Sequence, residues 1–206
     1  MTISFQSNPI YRLLLLCLLL LPAGFGAKAQ ERTIDSLVTQ LTLSRPDTGR
    51  VHLLNALTVA YRNSEPEKAM QYAGQARALA DSLDFDRGHA RALDNMGWVH
   101  YRRGELDKAL SLSMQALRLS HKAKDPWESV NASINIASVY YEQENYTQAV
   151  AYFTQAFRMS EKLGDKLLQG RALNNLAFMY FRMGKYPLSL EYSFKALRNN
   201  EQAGDK

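Results

Sequence analysis

The chain has 206 residues, of which 46% are hydrophobic and 22% charged, and this composition is typical of a folded protein and excludes wholesale disorder. Its net charge of +5 comes from interspersed basic and acidic residues, which argues against the concentrated basic face of a nucleic-acid-binding protein. The single cysteine, Cys17, excludes a disulfide and, in the rest of the chain, a thiol nucleophile or a cysteine metal site.

Residues 1–29 have the pattern of a secretory signal peptide. Arg12 supplies the positive charge, residues 13–21 form the apolar run, and Ala27-Lys28-Ala29 matches a cleavage site of small residues. We therefore predict cleavage between Ala29 and Gln30, and an exported, periplasmic or extracytoplasmic protein without a membrane span after cleavage. The apolar run is short for a bilayer span, and an uncleaved anchor is the alternative.

Columns of the same residue type recur every 40 residues along the rest of the chain. One column holds an asparagine in every copy: Asn55, Asn95, Asn135 and Asn175. Another holds an alanine in every copy: Ala76, Ala116, Ala156 and Ala196. Four copies without an insertion indicate a repeat architecture, in which each unit buries its apolar face only by stacking on its neighbours.

The predicted elements follow this period in chain order. Residues 30–46 comprise an N-terminal capping helix, which ends at Leu43, and a linker. Residues 47–206 comprise four repeats, with approximate bounds 47–84, 85–124, 125–164 and 165–204. Each repeat is predicted as two helices: 47–61 with 66–83, 86–102 with 105–122, 125–143 with 146–162, and 166–183 with 186–202.

Local signals support the predicted helix ends. Ser64 followed by Glu67 indicates a capping box at the second helix of the first repeat. Gly104 is expected to form a turn, and Gly164-Asp165 combines a C-cap glycine with an N-cap aspartate. Gly204-Asp205-Lys206 copies the triplet that opens the fourth repeat. We therefore expect the chain to be truncated where a fifth repeat starts, and a frayed natural terminus is the alternative.

From about Val51 onward the chain closely resembles the tetratricopeptide repeat. Met96-Gly97, Gly104, Ala109 and Ala116 fit its signature, and Leu176-Ala177, Tyr180, Gly184 and Ala196 fit it again. The repeat here has 40 residues, where the common form has about 34, and we attribute the difference to longer helices. The resemblance implies an all-α, right-handed superhelical solenoid of antiparallel helix pairs.

A narrower resemblance concerns the extracytoplasmic repeat region of bacterial sensor histidine kinases and related membrane regulators. The matching stretches are Asp35-Ser36-Leu37, Pro46-Asp47-Thr48 and the run from Tyr61 to Ala69. This resemblance implies the sensory part of a membrane-bound signalling regulator. A stand-alone periplasmic scaffold, which self-associates through its C-terminal end, is the alternative function.

The family pattern places a peptide-binding groove on the concave side formed by the first helices. The predicted groove residues are Asn55, Tyr61, Arg91, Asn95, Trp98, Arg102, Asn135, Tyr141, Arg171, Asn175, Phe178 and Arg182. An asparagine side chain can both donate to and accept from a peptide backbone, and arginine can bind carboxylates through two parallel hydrogen bonds. Two alternatives stay open: the asparagines bridge neighbouring helices, and the aromatic residues Tyr101, Tyr141 and Phe181 belong to the core.

The sequence contains no constellation that predicts an enzyme. The four histidines lack the spacing and carboxylate partners of a zinc site, and no serine lies in a nucleophile-elbow sequence. We therefore predict no catalytic residues, no metal and no cofactor. The predicted partner is a protein or an extended peptide.

Overall fold

The computed structural model describes residues 23–204. Positions 1–22 of the predicted signal sequence lie outside the described residues. The described part of the chain forms nine α-helices and no strand. Their bounds are α1 Ala23–Leu43, α2 Thr48–Tyr61, α3 Pro66–Ser82, α4 Asp86–Arg102, α5 Leu106–Lys122, α6 Pro126–Glu142, α7 Tyr146–Leu163, α8 Lys166–Arg182 and α9 Tyr186–Ala203. These bounds confirm the eight helices predicted from residue 47 onward.

Each helix packs on the next one along the chain, and the first helices of successive repeats also contact one another. The pairs α2 with α4 and α4 with α6 are examples of this second kind of contact. The arrangement confirms the predicted all-α solenoid of stacked helix pairs. Because every contact is between near neighbours in sequence, no long-range pairing is needed to define the fold.

A left-handed residue lies at nearly every turn between helices, at intervals of 20 residues. It is a glycine at Gly104, Gly164, Gly184 and Gly204, with φ between +68° and +80°. Asp84, Lys124 and Glu144 take the same conformation with φ between +50° and +57°. A backbone in this region reverses the chain after a helix. The repeated turn therefore makes consecutive helices antiparallel.

Several helix starts are capped by a side chain of the preceding residue. Asp47, Asp125, Asn145 and Asp165 each accept a hydrogen bond from a backbone N–H in the first turn of the following helix. The predicted capping box at Ser64 is wrong, because α3 starts after Glu65, whose side chain makes no capping bond. The first helical residue of α3 is Pro66, and proline is favoured at this position because an N–H there would have no partner within the helix.

Small residues allow the helices to approach closely. Every alanine of the Ala76 column is at most 1% exposed. At Gly97, a Cβ atom would lie 2.7 Å from Oγ of Ser113 on α5, so α4 and α5 could not keep their separation with a larger residue there. These positions confirm the predicted role of the small-residue columns.

The core extends along the stack in three apolar clusters. One joins α6, α7 and α8 and includes Phe153 and Leu176, and a second joins α1 to α4 and includes Leu41 and Leu57. The third, between α4, α5 and α6, has only three fully buried members: Leu93, Ala116 and Ala132.

Helix α1 begins at Ala23, seven residues before the predicted start at Gln30. Its apolar stripe, which includes Ile34 and Val38, packs against the α2–α3 pair. Among the helices of residues 23–204, none combines the length and the apolar content needed to cross a membrane.

Candidate functional site

A groove of about 270 Å³ lies between the first helices of the repeats, α2, α4, α6 and α8. Helix pairs stacked at a constant period bring the same face of each first helix to this side. Its lining residues are His52, Asn55, Ala56, Val59, Arg62, Arg91, Asp94, Asn95, Trp98, Trp127, Glu128, Asn131, Asn135 and Arg171. Six of the twelve predicted groove residues are among them: Asn55, Arg91, Asn95, Trp98, Asn135 and Arg171.

Two buried carboxylates form the floor of this groove. Glu128 on α6 accepts a hydrogen bond from Nε of Arg91 on α4 at 3.0 Å, and Glu128 is 1% exposed. Asp94 accepts from Nδ2 of Asn135 at 2.8 and 2.9 Å. Both pairs cross from the second repeat to the third, so they position Arg91 and Asn135 relative to each other.

Burial raises the pKa values of these two acids. Burial raises the pKa of Asp94 above its ordinary value, and the hydrogen bond from Asn135 opposes this rise. Burial also raises the pKa of Glu128, the negative charge of Asp94 adds to the rise, and the positive charge of Arg91 opposes it. Desolvation penalises a carboxylate more than a carboxylic acid. The groove therefore holds acids that titrate closer to neutral pH than exposed ones.

The asparagine column does not have one structural role. Nδ2 of Asn55 donates to the backbone oxygen of Gly88 at 3.1 Å, and Nδ2 of Asn95 donates to Oδ1 of Asn55 at 3.2 Å. These two side chains are only 1% and 4% exposed. Asn135 is held by Asp94, as described above, and Asn175 on α8 is partly exposed outside the groove. Three of the four amides thus bridge neighbouring repeats, and ligand binding by this column stays a prediction.

Two arginines lie over tryptophan rings in the groove. The guanidinium carbon of Arg62 is 5.3 Å from the ring centre of Trp98, and that of Arg91 is 4.7 Å from the ring centre of Trp127. Stacking of this kind holds a guanidinium in place while leaving its N–H groups free to donate. Arg171 is more exposed, and its Nη1 donates to Oδ1 of Asn131 at 3.0 Å.

Two donors in the groove lack an acceptor. Within the described residues, neither Nε of Arg62 nor Nε1 of Trp98 has a hydrogen-bond partner, although both atoms are buried. Burial also lowers the pKa of Arg62, an effect that the charge of Asp94 opposes. An unpaired buried donor costs about 1–3 kcal/mol. Both side chains line the groove, so a ligand with acceptor oxygens that displaces their present packing would satisfy both groups.

The other six predicted groove residues lie elsewhere. Tyr61 stacks on Tyr72 within the apolar cluster that joins α1 to α4. Arg102 is exposed at the end of α4. Tyr141, Phe178 and Arg182 form a separate group, in which the ring of Phe178 and the guanidinium of Arg182 both contact Tyr141. The sixth is Asn175, described above. Ligand binding by these six residues also stays a prediction.

The sequence interpretation missed the two acids and Trp127. The sequence did contain a signal for the two acids. Asp94 and Glu128 each occupy a column position at which the other repeats have an uncharged residue. The residues aligned with Asp94 are Leu54, Ile134 and Asn174, and those aligned with Glu128 are Gly88 and Leu168. A charged residue that departs from an uncharged column is therefore the sequence signal that could have drawn attention to these two positions. In residues 23–204, no three His, Cys, Asp or Glu side chains come together as a metal site would require.

Comparisons with known proteins agree with this architecture. A family model described as tetratricopeptide repeat matches residues 128–202, and a second model of the same description matches residues 89–123. No curated protein is significantly similar to the chain in sequence.

Solved structures share the fold at low sequence identity. A Rap protein in complex with Competence and Sporulation Factor has a TM-score of 0.79 and 19% identity, over 88% of this chain and 52% of that one. Aspartyl phosphate phosphatase F from Bacillus subtilis has a TM-score of 0.73 and 18% identity, over 81% and 44%. MamA has a TM-score of 0.56 and 18% identity, over 88% and 94%. The chain spans about half the length of the first two structures.

Proposed function

The chain belongs to the tetratricopeptide-repeat family, and from this premise we propose that it is a protein-interaction module that binds an extended peptide in the groove between α2, α4, α6 and α8. The observation that carries the proposal is the pair of buried donors without an acceptor, Nε of Arg62 and Nε1 of Trp98. A peptide backbone has a carbonyl oxygen at every residue and can supply both acceptors. The free groove then holds two unpaired donors, which the complex satisfies.

The rest of the lining suits an extended ligand. Trp98 and Trp127 offer flat apolar surface beside arginines that they hold in place. Asn131 and Arg171 extend the polar lining toward α8. Aromatic side chains and arginine are the residue types that contribute most to protein interfaces. Asn55 and Asn95 contribute by fixing the helices that carry these groups.

The proposal is tested by selecting ligands from a random peptide library and comparing the wild-type chain with Trp98→Phe. The variant keeps the apolar ring but removes the indole N–H. We expect selected peptides to bind the variant about five-fold more weakly, the equivalent of one hydrogen bond of about 1 kcal/mol. The melting temperature of the free variant is measured alongside binding, because the smaller ring loses apolar contacts while an unpaired buried donor is removed.

Trp127→Phe is the matched control, since Trp127 lines the same groove but its indole nitrogen is not among the buried unpaired donors. Peptides that bind both variants as well as wild type would contradict the assignment of Nε1 of Trp98 to the ligand. A large loss of stability in Trp98→Phe would assign the weaker binding to lost packing of the indole ring and would contradict the role of its N–H. A library that yields no groove-dependent binder would overturn the proposal itself.

We also propose that the module acts outside the cytoplasm, as the sensory part of a membrane-bound regulator of the histidine kinase type. The support is the signal-like pattern around Arg12 and Ala27-Lys28-Ala29 and the resemblance of residues 35–69 to such sensors. Mass spectrometry of the protein recovered from a bacterial host should find Gln30 at its N-terminus. An intact Met1 on a cytoplasmic product would argue against export.

A further inference from the structure

The groove between α2, α4, α6 and α8 carries more positive charge than its own acids balance. Arg62, Arg91 and Arg171 line it together with the two buried acids. Nε of Arg91 pairs with Glu128 at 3.0 Å, so one arginine and one acid already form an ion pair. Among the described residues that line the groove, Asp94 is then the one carboxylate left for the two other arginines.

The carboxylate of Asp94 is already bound by a neutral side chain. Both of its oxygens accept from Nδ2 of Asn135, at 2.8 and 2.9 Å, and within residues 23–204 it forms no ion pair with an arginine. Burial raises the pKa of Asp94, and the charges of Arg62 and Arg171 oppose that rise. Both guanidinium groups therefore lie near enough to act on the same acid, but neither is paired with it.

Arg62, at the end of α2, has no acid of its own. Its guanidinium carbon lies 5.3 Å from the ring centre of Trp98, and its buried Nε has no acceptor in the described part of the chain. Burial lowers the pKa of Arg62, and the positive charge of Arg171 also lowers it. A partly buried charge without a paired counter-charge is costly. An anion bound in the groove would offset this cost.

Arg171 lines the same groove from α8, in the fourth repeat. Its Nη1 donates to Oδ1 of Asn131 at 3.0 Å, and Nδ2 of Asn131 in turn donates to the backbone oxygen of Trp127 at 3.0 Å. This chain of hydrogen bonds orients the guanidinium, but a neutral amide leaves its charge in place. A guanidinium has five N–H donors, so Arg171 keeps donors for a ligand.

We propose that the peptide bound in this groove is acidic, and that its side-chain carboxylates pair with Arg62 and Arg171. This inference rests on the proposed function of peptide binding and adds the chemical class of the ligand. Hydrogen bonds between arginine and a carboxylate are about twice as strong as neutral ones. Arg62 belongs to the first repeat and Arg171 to the fourth. Acidic side chains along an extended peptide therefore suit the two arginines better than the single carboxylate at a peptide's C-terminus.

The probe is a pair of peptide arrays that share the same random sequences. One array has glutamate at alternate positions, the other has glutamine there, and every C-terminus is amidated. The chain should bind the glutamate peptides about ten-fold more tightly, as two ion pairs would allow. The preference should fall as salt is added, because ions screen exposed charges. Equal binding to the two arrays would overturn the proposal.

A third array separates side-chain carboxylates from the terminal one. It carries the glutamine peptides with a free C-terminus, and the chain should bind these no better than the amidated glutamine peptides. Binding at the level of the glutamate peptides would place the carboxylate at the end of the ligand and overturn the assignment to side chains.

Variants of exposed arginines locate the charge. Arg171→Gln should weaken binding to the glutamate peptides by about five-fold, the size expected for one partly exposed ion pair, and leave the glutamine peptides unaffected. Arg158→Gln is the matched control, because Arg158 is also exposed but lies on α7, outside the groove. Both variants should keep the melting temperature of the wild type. Equal losses in the two would show a general attraction to a positively charged chain and overturn the proposal.

Two variants of Arg62 separate this inference from the proposed function. Arg62→Lys keeps the positive charge but removes the Nε–H donor, and it should retain the preference for glutamate over glutamine. Arg62→Gln removes the charge and should lose much of that preference. Glutamine peptides that bind as well as glutamate peptides, and that Trp98→Phe weakens, would uphold peptide binding and overturn the acidic class. Binding to none of the arrays would contradict peptide binding itself and this inference with it.

Discussion

The boundary between the second and third repeats differs from the boundary between the third and fourth, although each joins the second helix of one repeat to the first helix of the next. At the position of Glu128, which is buried and paired with Arg91, the next repeat has Leu168 in an apolar cluster. The apolar cluster at the first boundary has three fully buried residues, whereas the cluster at the second has ten. A repeat protein can vary its boundaries independently, because each repeat contacts only its neighbours.

This difference shows which polar groups the fold itself does not require. Leu168 shows that an apolar residue suits the position, so the fold does not require the charge at Glu128. Buried ion pairs are often less stabilising than apolar residues of similar volume. The chain nevertheless keeps two buried acids and their partners at the boundary that forms the floor of the groove. We infer that these groups serve the groove, at some cost in stability.

Truncating a buried side chain in the apolar cluster of α6, α7 and α8 should give the largest loss of stability. Phe153 is 4% exposed in the cluster of α6, α7 and α8, and Phe153→Ala should lower the free energy of unfolding by about 3–5 kcal/mol. Phe194→Ala is the control of the same residue type, and its exposed ring should cost less than about 1 kcal/mol. Urea denaturation followed by circular dichroism measures both. Similar losses in the two variants would contradict the placement of the core.

A second comparison uses two helical glycines, Gly97 on α4 and Gly74 on α3. Gly97→Ala brings a Cβ atom within 2.7 Å of Ser113 Oγ and 3.3 Å of the Ala109 backbone oxygen, and should destabilise by about 1–3 kcal/mol. Gly74→Ala meets no heavy atom within 4 Å and should stabilise α3 by up to about 1 kcal/mol. Thermal denaturation should move in opposite directions. A stabilising Gly97→Ala would show that α4 and α5 are not closely packed.

The last comparison concerns the pH dependence of stability. The pKa of Glu128 is higher in the folded chain than in the unfolded chain, so its contribution to stability is complete at pH values below the unfolded pKa. That contribution is lost as the pH rises through the folded pKa. Glu128→Gln should therefore flatten the decline in unfolding free energy across the pH window between the ordinary glutamate value and the folded pKa of about 8.

Glu201→Gln is the control for the pH experiment, because this glutamate is exposed on α9. Its profile should run parallel to that of the wild type. If Glu128→Gln steepens the decline instead, the interaction with Arg91 outweighs burial, and the acid is held in its charged form.

The sequence by itself determined the period, the helix bounds from residue 47 onward and the small-residue columns. These features depend on local propensity and on a pattern repeated four times. A helix with weak signals in one repeat can therefore be assigned from the aligned positions of the other repeats. The alanine column illustrates this, since the same close helix crossing recurs in each repeat. The cap at Ser64 and the start of α1 differed, because helix ends depend on a few competing side chains.

Only the tertiary structure decided what the polar columns do. Asn55 bonds to a backbone oxygen, Asn95 bonds to Asn55, and Asn135 bonds to Asp94, although one column holds all three. Each partner comes from the neighbouring repeat, at a sequence separation of 33 to 41 residues. A hydrogen bond needs the partner atom within about 3 Å, and a sequence column does not define such a distance. The stack of helices does, and it also brought Arg62 and Trp98 together as buried donors.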